Sequence, residues 1–209
     1  SSFDNYKYQV SGKFTIEAID MTLSVDGYEK AYDAKSHGVT VTVNKQEELP
    51  EGAKVYYSLV DPESEDFDEG NWSEKPPKWK DVDLDSDRNP VSHTVYVKVE
   101  LANYNTAYGN ADVTILQKQI KVHGEDTKPY NSEYQIMDIT ADDVVEGYEP
   151  VEGETLVVRG HKIRGKDVGI YMQPYNDPDD PSYISVNKAD GTSSFDNYKY
   201  QVSGKFTIE

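Results

Sequence analysis

The chain has 209 residues, enough for one large or two small domains, of which 36% are hydrophobic and 29% charged. Its 39 acidic against 21 basic residues give a net charge of −18, which repels nucleic-acid phosphates and anionic membrane surfaces. There is no cysteine, which excludes disulfide staples, zinc–thiolate sites and thiol nucleophiles, and the 17 tyrosines argue for a polar globular chain rather than a disordered one.

In chain order, alternation of apolar and polar residues dominates. Met21, Leu23 and Val25 alternate with Thr22 and Ser24, a period of two that predicts a half-buried strand. The same pattern recurs over residues 39–43, 55–59, 94–99 and 112–115, all rich in Val, Ile and Tyr. Further on it predicts strands at 120–122, 156–158, 169–172, 183–186, 198–202 and 206–208. Pro50-Glu51-Gly52, Asp61-Pro62, Lys75-Pro76-Pro77, Asn176-Asp177-Pro178 and Asp190-Gly191 separate these runs as turns. One short helix is predicted over residues 140–147, with Thr140 as its cap and Gly147 at its end. No stretch of ~18 apolar residues offers a membrane span. No signal peptide or sorting motif is present, as expected for an interior piece of a longer chain.

The chain repeats itself. Residues 1–17, SSFDNYKYQVSGKFTIE, recur without change at residues 193–209, a period of roughly 190 residues. They read as natural strand sequence rather than as an appended tag. A weaker repeat lies inside the long one: Asn103-Tyr104 precedes Ala111 to Ile115 as Asn197-Tyr198 precedes Gly204 to Ile208. Met21 to Val25 with Tyr32-Asp33 likewise matches Gln119 to Val122 with Tyr130-Asn131. We therefore divide the chain into domain A, 18–115, and domain B, 116–209, each of roughly 95 residues. Residues 1–17 are then the closing strands of a preceding B-type repeat.

In A, Tyr28 to His37 carry Tyr32-Asp33 and His37 in the order of a "YDGxxH" opening. Glu51 to Ser58 follow as a "GatVtYS" strand, then Asn71-Trp72-Ser73, Lys75-Pro76-Pro77, and a close through Asn103-Tyr104-Asn105 and Ala111 to Ile115. B has Lys128-Pro129-Tyr130-Asn131, a glycine-led strand from Gly160 to Tyr171, and a close from Asp196-Asn197-Tyr198 to Ile208. This ordered set resembles the tandem mostly-β-grasp (YDG-type) repeat domains of Gram-positive cell-surface adhesins. Ala34 and Ser132 depart from the pattern, standing where glycine and a small turn residue are usual. The resemblance implies a mainly β fold of β-grasp-like or small β-sandwich modules, two tandem domains in an elongated rod. It also implies an extracellular, cell-wall-attached adhesin or fibre, and no catalytic residue.

A search for chemistry yields little. His37, His93, His123 and His161 stand far apart, with no metal-ligand spacing, and no nucleophile elbow, phosphate loop or dinucleotide fingerprint is present. The best candidate site is Asp81, Asp83, Asp85 and Asp87, whose alternate carboxylates suit the oxygen-rich coordination of Ca²⁺. Against it stand the lack of a turn glycine and of a closing glutamate. The same pattern reads as an edge segment with its charges outward. Asp177-Pro178-Asp179-Asp180 is a poorer version. Tyr56, Tyr57, Tyr96, Tyr171 and Tyr200 suit carbohydrate stacking, and equally suit strands on propensity alone. A lysine–asparagine crosslink, known in some surface-protein folds, requires a buried Lys, an Asn or Asp, and an acidic neighbour.

The expectation is a non-enzymatic stalk or spacer that projects a distal binding domain, with neighbouring repeats as partners and no cofactor other than the Ca²⁺ candidate. The rival is a repeat that itself binds a host protein or glycan. For residues 1–17 two outcomes are expected. Either they form a hairpin against A, or, as we favour, they exchange with residues 193–209 of another copy; exposure of Phe14 and Ile16 counts against that exchange.

Overall fold

The computed structural model describes residues 11–44, 48–174 and 180–209, and it is mainly β. No helix among the described residues is long and apolar enough to cross a membrane. The chain forms two compact units. One takes residues up to 25 together with 41–75 and 96–110; the other takes 26–40, 76–95 and 111–209.

In the first unit, β1 (Leu23–Asp26) pairs with β3 (Thr40–Val43). Beyond β3, Asn44 clamps Thr22 by a backbone bond of 2.7 Å and a side-chain bond of 3.0 Å. β4 (Lys54–Ser58) runs antiparallel to β5 (Ser92–Glu100), with Lys54 opposite Glu100 and Ser58 opposite Tyr96. The alternation of β5 buries Val97 and Val99 completely, as Val43 of β3 is buried, and turns Tyr96 and Lys98 to the other face. Ile19 bridges Tyr104 in parallel.

In the second unit, β2 (Tyr28–Ala31) runs parallel to β6 (Ala107–Leu116), from Tyr28 opposite Val113 to Ala31 opposite Leu116. Only Gln117 separates β6 from β7 (Lys118–Lys128). The central strand β13 (Tyr198–Ile208) lies parallel to β7 from Tyr198–Lys118 to Ile208–Lys128, and antiparallel to β11 (Gly169–Pro174). Two antiparallel pairs complete the unit: β8 (Gln135–Asp138) with β10 (Lys162–Gly165), and β9 (Thr155–Val158) with β12 (Ile184–Asn187). One continuous hydrophobic core joins Tyr32, Val82 and Ile115 to Ile120, Val122, Tyr198, Val202, Phe206 and Ile208.

Ala34 and Ser132 adopt φ of 61° and 69°. Both lie in the left-handed region that glycine enters without cost.

Two expectations are corrected. The helix over 140–147 is a single 3₁₀ turn, Ala141–Asp143, closed by reciprocal bonds between Thr140 and Asp143. The β-branched pair Val144-Val145 goes extended instead, bridging Val122 and bonding Lys121. Residues 1–10 lie outside the described residues. Residues 11–17 form no strand, and Phe14 and Ile16 are 88% and 80% exposed, so this described part of the segment does not pack against A. That exposure also counts against strand exchange.

Candidate functional site

Two side-chain constellations stand out, one in each unit. The first is a cleft of about 590 Å³ in the first unit. One wall is the loop that leaves β4. Asp61 accepts the Glu63 N–H at 2.9 Å, Asp68 caps a 3₁₀ turn over Glu69–Asn71, and Ser73 pairs with Tyr57 through backbone bonds of 2.8 and 2.9 Å. These local bonds, typical of Asp in turns, set Phe67 edge-on to Trp72 at 5.5 Å. They also place the carboxylates of Asp61, Glu63 and Glu69 along the cleft. Facing them is the start of β6, where Tyr108 tilts at 44° to Trp72, 6.3 Å away, and is 63% exposed. The outward Tyr96 of β5 contributes to the lining.

Lys98 sits at the edge of this group. Its ammonium lies 4.9 Å from the centre of the Tyr56 ring and 5.2 Å from that of Trp72. It is also 3.3 Å from Glu100 and 3.7 Å from Glu69. Partial burial alone would lower its pKa, but the hydrogen bond and charge of Glu100, with the charge of Glu69, hold it above the ordinary lysine range.

The second constellation is a polar seam in the second unit. Glu154 accepts from the hydroxyls of Tyr32 and Tyr198, each at 2.7 Å, and from Ser194 at 3.2 Å. Burial first, and then these bonds to a carboxylate, push both tyrosines well above their ordinary range; the Val151 N–H bonded to the Tyr198 oxygen works the other way. Nearby, the buried Asn197 accepts the Val82 N–H at 2.6 Å and donates to Asp81 at 2.8 Å and Ser194 at 3.0 Å. Lys188 donates to the same Asp81 oxygen at 2.6 Å. Partial burial would raise the Asp81 carboxyl, but the bonds from Lys188 and Asn197 outweigh it and hold the group below the usual carboxylate range.

The structure turns the predicted calcium ligands to separate tasks. Asp81 belongs to the seam; Asp83 lies 3.3 Å from His93; Asp85 accepts the backbone N–H groups of Asp87 and Asn89. The backbone bonds hold Asp85 below the usual range. Among the described residues no three His, Asp or Glu side chains are grouped to hold a metal ion. Asp177 and Asp179 lie outside the described residues, and Asp180 accepts both the N–H and the hydroxyl of Ser182.

The histidines are dispersed. His37 stacks on Tyr28 and bonds Asp33, His93 stacks on Trp79, His123 bonds Ser203, and burial lowers the pKa of His161. Of the five tyrosines singled out above, Tyr96 lines the cleft and Tyr56 lies beneath Lys98. Tyr57 is fixed by Ser73, Tyr171 bonds Asp167, and Tyr200 is core. Sequence reasoning missed Phe67 and Tyr108. Their only signal was an aromatic amid turn-forming acids and another opening a strand.

No protein-family model matches the chain, and no curated protein does. Among solved structures it is similar to a Bacteroides ovatus mixed-linkage glucan utilization locus protein, SGBP-B, in complex with mixed-linkage heptasaccharide. That alignment has 14% identity and a TM-score of 0.25, covering 90% of this chain and 47% of the other. It is also similar to the three N-terminal domains of the bacteriophage RB49 highly immunogenic outer capsid protein, with 8% identity and a TM-score of 0.29, covering 91% and 70%. The chain thus spans about half the length of the first of these structures. Neither superposition amounts to a shared fold, and what the Bacteroides protein binds stays a statement about that protein.

Proposed function

We propose that the chain is a non-enzymatic spacer from a tandem-repeat surface protein, with neighbouring repeats as its partners and an extracellular, wall-attached parent. The observation that carries this reading is the seam. Tyr32 and Val82, from the part of the chain before residue 116, share one core with residues 116–209 and are bonded to Glu154 and Asn197. Gln117 alone stands between β6 and β7, with neither Gly nor Pro to act as a hinge. The seam packs residues 26–40 and 76–95 into one body with residues 116–209, so the boundary between the repeats is a shared core and not a loose tether, which suits a spacer better than a flexibly tethered binder. Stability in such an array is a sum of local terms and nearest-neighbour interfaces.

The test is an array of one, two and three copies of the repeating unit, with spin labels at the two ends. The end-to-end distance should rise by equal steps with a narrow distribution. Broad distributions that grow only as the square root of copy number would mean flexible beads and would end the spacer reading.

A further inference from the structure

We propose that the cleft of the first unit binds a cationic side chain, a Lys or Arg on a basic segment of a partner protein. The inference is independent of the spacer reading and stands on three observations.

The first is charge. Asp61, Glu63 and Glu69 border one cleft, in a chain whose net charge is −18. Glu69 already faces Lys98 at 3.7 Å, so Asp61 and Glu63 are the carboxylates that a neutral ligand would take from water without compensation and that an incoming cation would offset. The summed negative field also draws a basic segment in from solution.

The second is the aromatic surface. Tyr108 is 63% exposed at the mouth, and Tyr96 lines the cleft. Faces of this kind attract an ammonium or guanidinium within about 6 Å of the ring centre. A cleft of about 590 Å³ is roomy enough for an extended Lys or Arg side chain with its flanking peptide.

The third is a working example alongside. Lys98 is held over Tyr56 and Trp72 with carboxylates at 3.3 and 3.7 Å, the combination the cleft offers to an incoming cation. The same loop and the same strand, β5, build both. Trp72 already has Lys98 near its ring and Phe67 at its edge, so Tyr108 is the ring presented to a ligand.

The experiment is an NMR titration of the full chain with acetylated tetralysine and tetraarginine peptides, and in parallel with a neutral β-glucan oligosaccharide. Binding of the peptides should shift residues 61–72 and 96–110 and weaken as salt is raised. Tyr108→Ala should lower affinity about 5-fold, and Glu63→Gln with Glu69→Gln by at least as much. Asp85→Asn with Asp87→Asn, on acids outside the cleft, should leave affinity unchanged. All three side chains replaced in the cleft are exposed, and unchanged unfolding midpoints will show that the fold is kept. Shifts spread over the whole acidic surface, affinity indifferent to the cleft variants, or no binding at millimolar peptide would overturn the proposal. Cleft shifts with the oligosaccharide alone would overturn it too, in favour of a sugar site.

Discussion

The Tyr32 hydroxyl donates to Glu154 at 2.7 Å across 122 residues of sequence, while Tyr198 donates to the other oxygen of the same carboxylate. Tyr32 and Tyr198 are both almost fully buried, and their rings meet edge to face at 5.6 Å. Removing their shared acceptor strands two buried donors. We predict that Glu154→Ala lowers the urea stability of the second unit by about 2–4 kcal/mol, and Tyr32→Phe by about 1–2 kcal/mol. If the double variant lost no more than Glu154→Ala alone, the two residues would act as one bonded pair; full additivity would argue that they do not.

The same tyrosines set an alkaline limit. Tyr32, Tyr198 and Tyr200 are all shifted upward, chiefly by burial. An unfolded tyrosine ionises near pH ~10 while the folded ones stay protonated. The unfolded state then binds fewer protons, so this contribution is intact below about pH 10 and declines as pH rises further. Absorbance titration should show most tyrosines ionising near pH 10 and a buried set ionising only as the chain unfolds. A single transition covering all tyrosines with the fold intact would contradict this.

Asp81 sets a limit at the other end. Its carboxyl lies below the usual range, so what it stabilises is present above pH ~4 and is lost as pH falls through the folded value. Because its side chain is half exposed, the effect is modest. Asp81→Asn should reduce stability at pH 7, and the deficit relative to the parent should close as pH falls through the folded value. Lys188, Asp81 and Asn197 are also the residue types a lysine–asparagine crosslink requires. Here Lys188 Nζ and Asn197 Nδ2 both donate to the same Asp81 oxygen, at 2.6 and 2.8 Å, so the three groups form a hydrogen-bonded cluster. The intact mass should equal the sequence mass; a deficit of one ammonia, abolished in Asp81→Asn, would mean the bond forms.

Ala34 and Ser132 hold φ of 61° and 69°. A β-carbon in that region costs ~1–2 kcal/mol, part of which glycine would return through the greater freedom of its unfolded chain. Ala34→Gly and Ser132→Gly should each raise stability by up to about 1 kcal/mol. A loss in both would mean that the turns depend on the side chains.

Much of the fold was legible in the alternation of apolar residues, because burial on one face imposes it directly: Val95, Val97 and Val99 of β5 are all buried. Strands β2, β8 and β10 were not, since YEKA, QIMD and KIRG each offer too few inward apolar residues to show a period. Gly204 hid the continuity of β13, reading as a break when it is a point of close packing. The alternation over Asp81 to Asp87 was correctly visible as acids outside and Val82 inside. What no local pattern contains is the partner of each acid: Lys188 and Asn197 lie more than 100 residues from Asp81. The cleft was obscured for a related reason, since its aromatics come from a loop and two strands distant in sequence.

The two copies of SSFDNYKYQVSGKFTIE make the chain its own control. Phe206 is fully buried and Ile208 nearly so, while Phe14 and Ile16, identical in local sequence, are exposed. At Gly204 an added β-carbon would stand 2.6 Å from Ile139 Cδ1 and 2.8 Å from Ile163 Cδ1, but at Gly12 it would meet nothing within 4 Å. Phe206→Ala should therefore cost about 3–5 kcal/mol and Gly204→Ala about 1–3 kcal/mol. Phe14→Ala and Gly12→Ala should each stay within about 0.5 kcal/mol of the parent. Local propensity is the same in both copies, so the difference isolates tertiary burial. Hydrogen exchange gives the matching readout: amides of 203–208 should exchange only with unfolding of the second unit, and those of 12–17 at near-random-coil rates. Protection of 12–17 that grows with protein concentration would show the first copy finding a partner in another chain, and would restore the strand exchange that the exposed Phe14 and Ile16 count against.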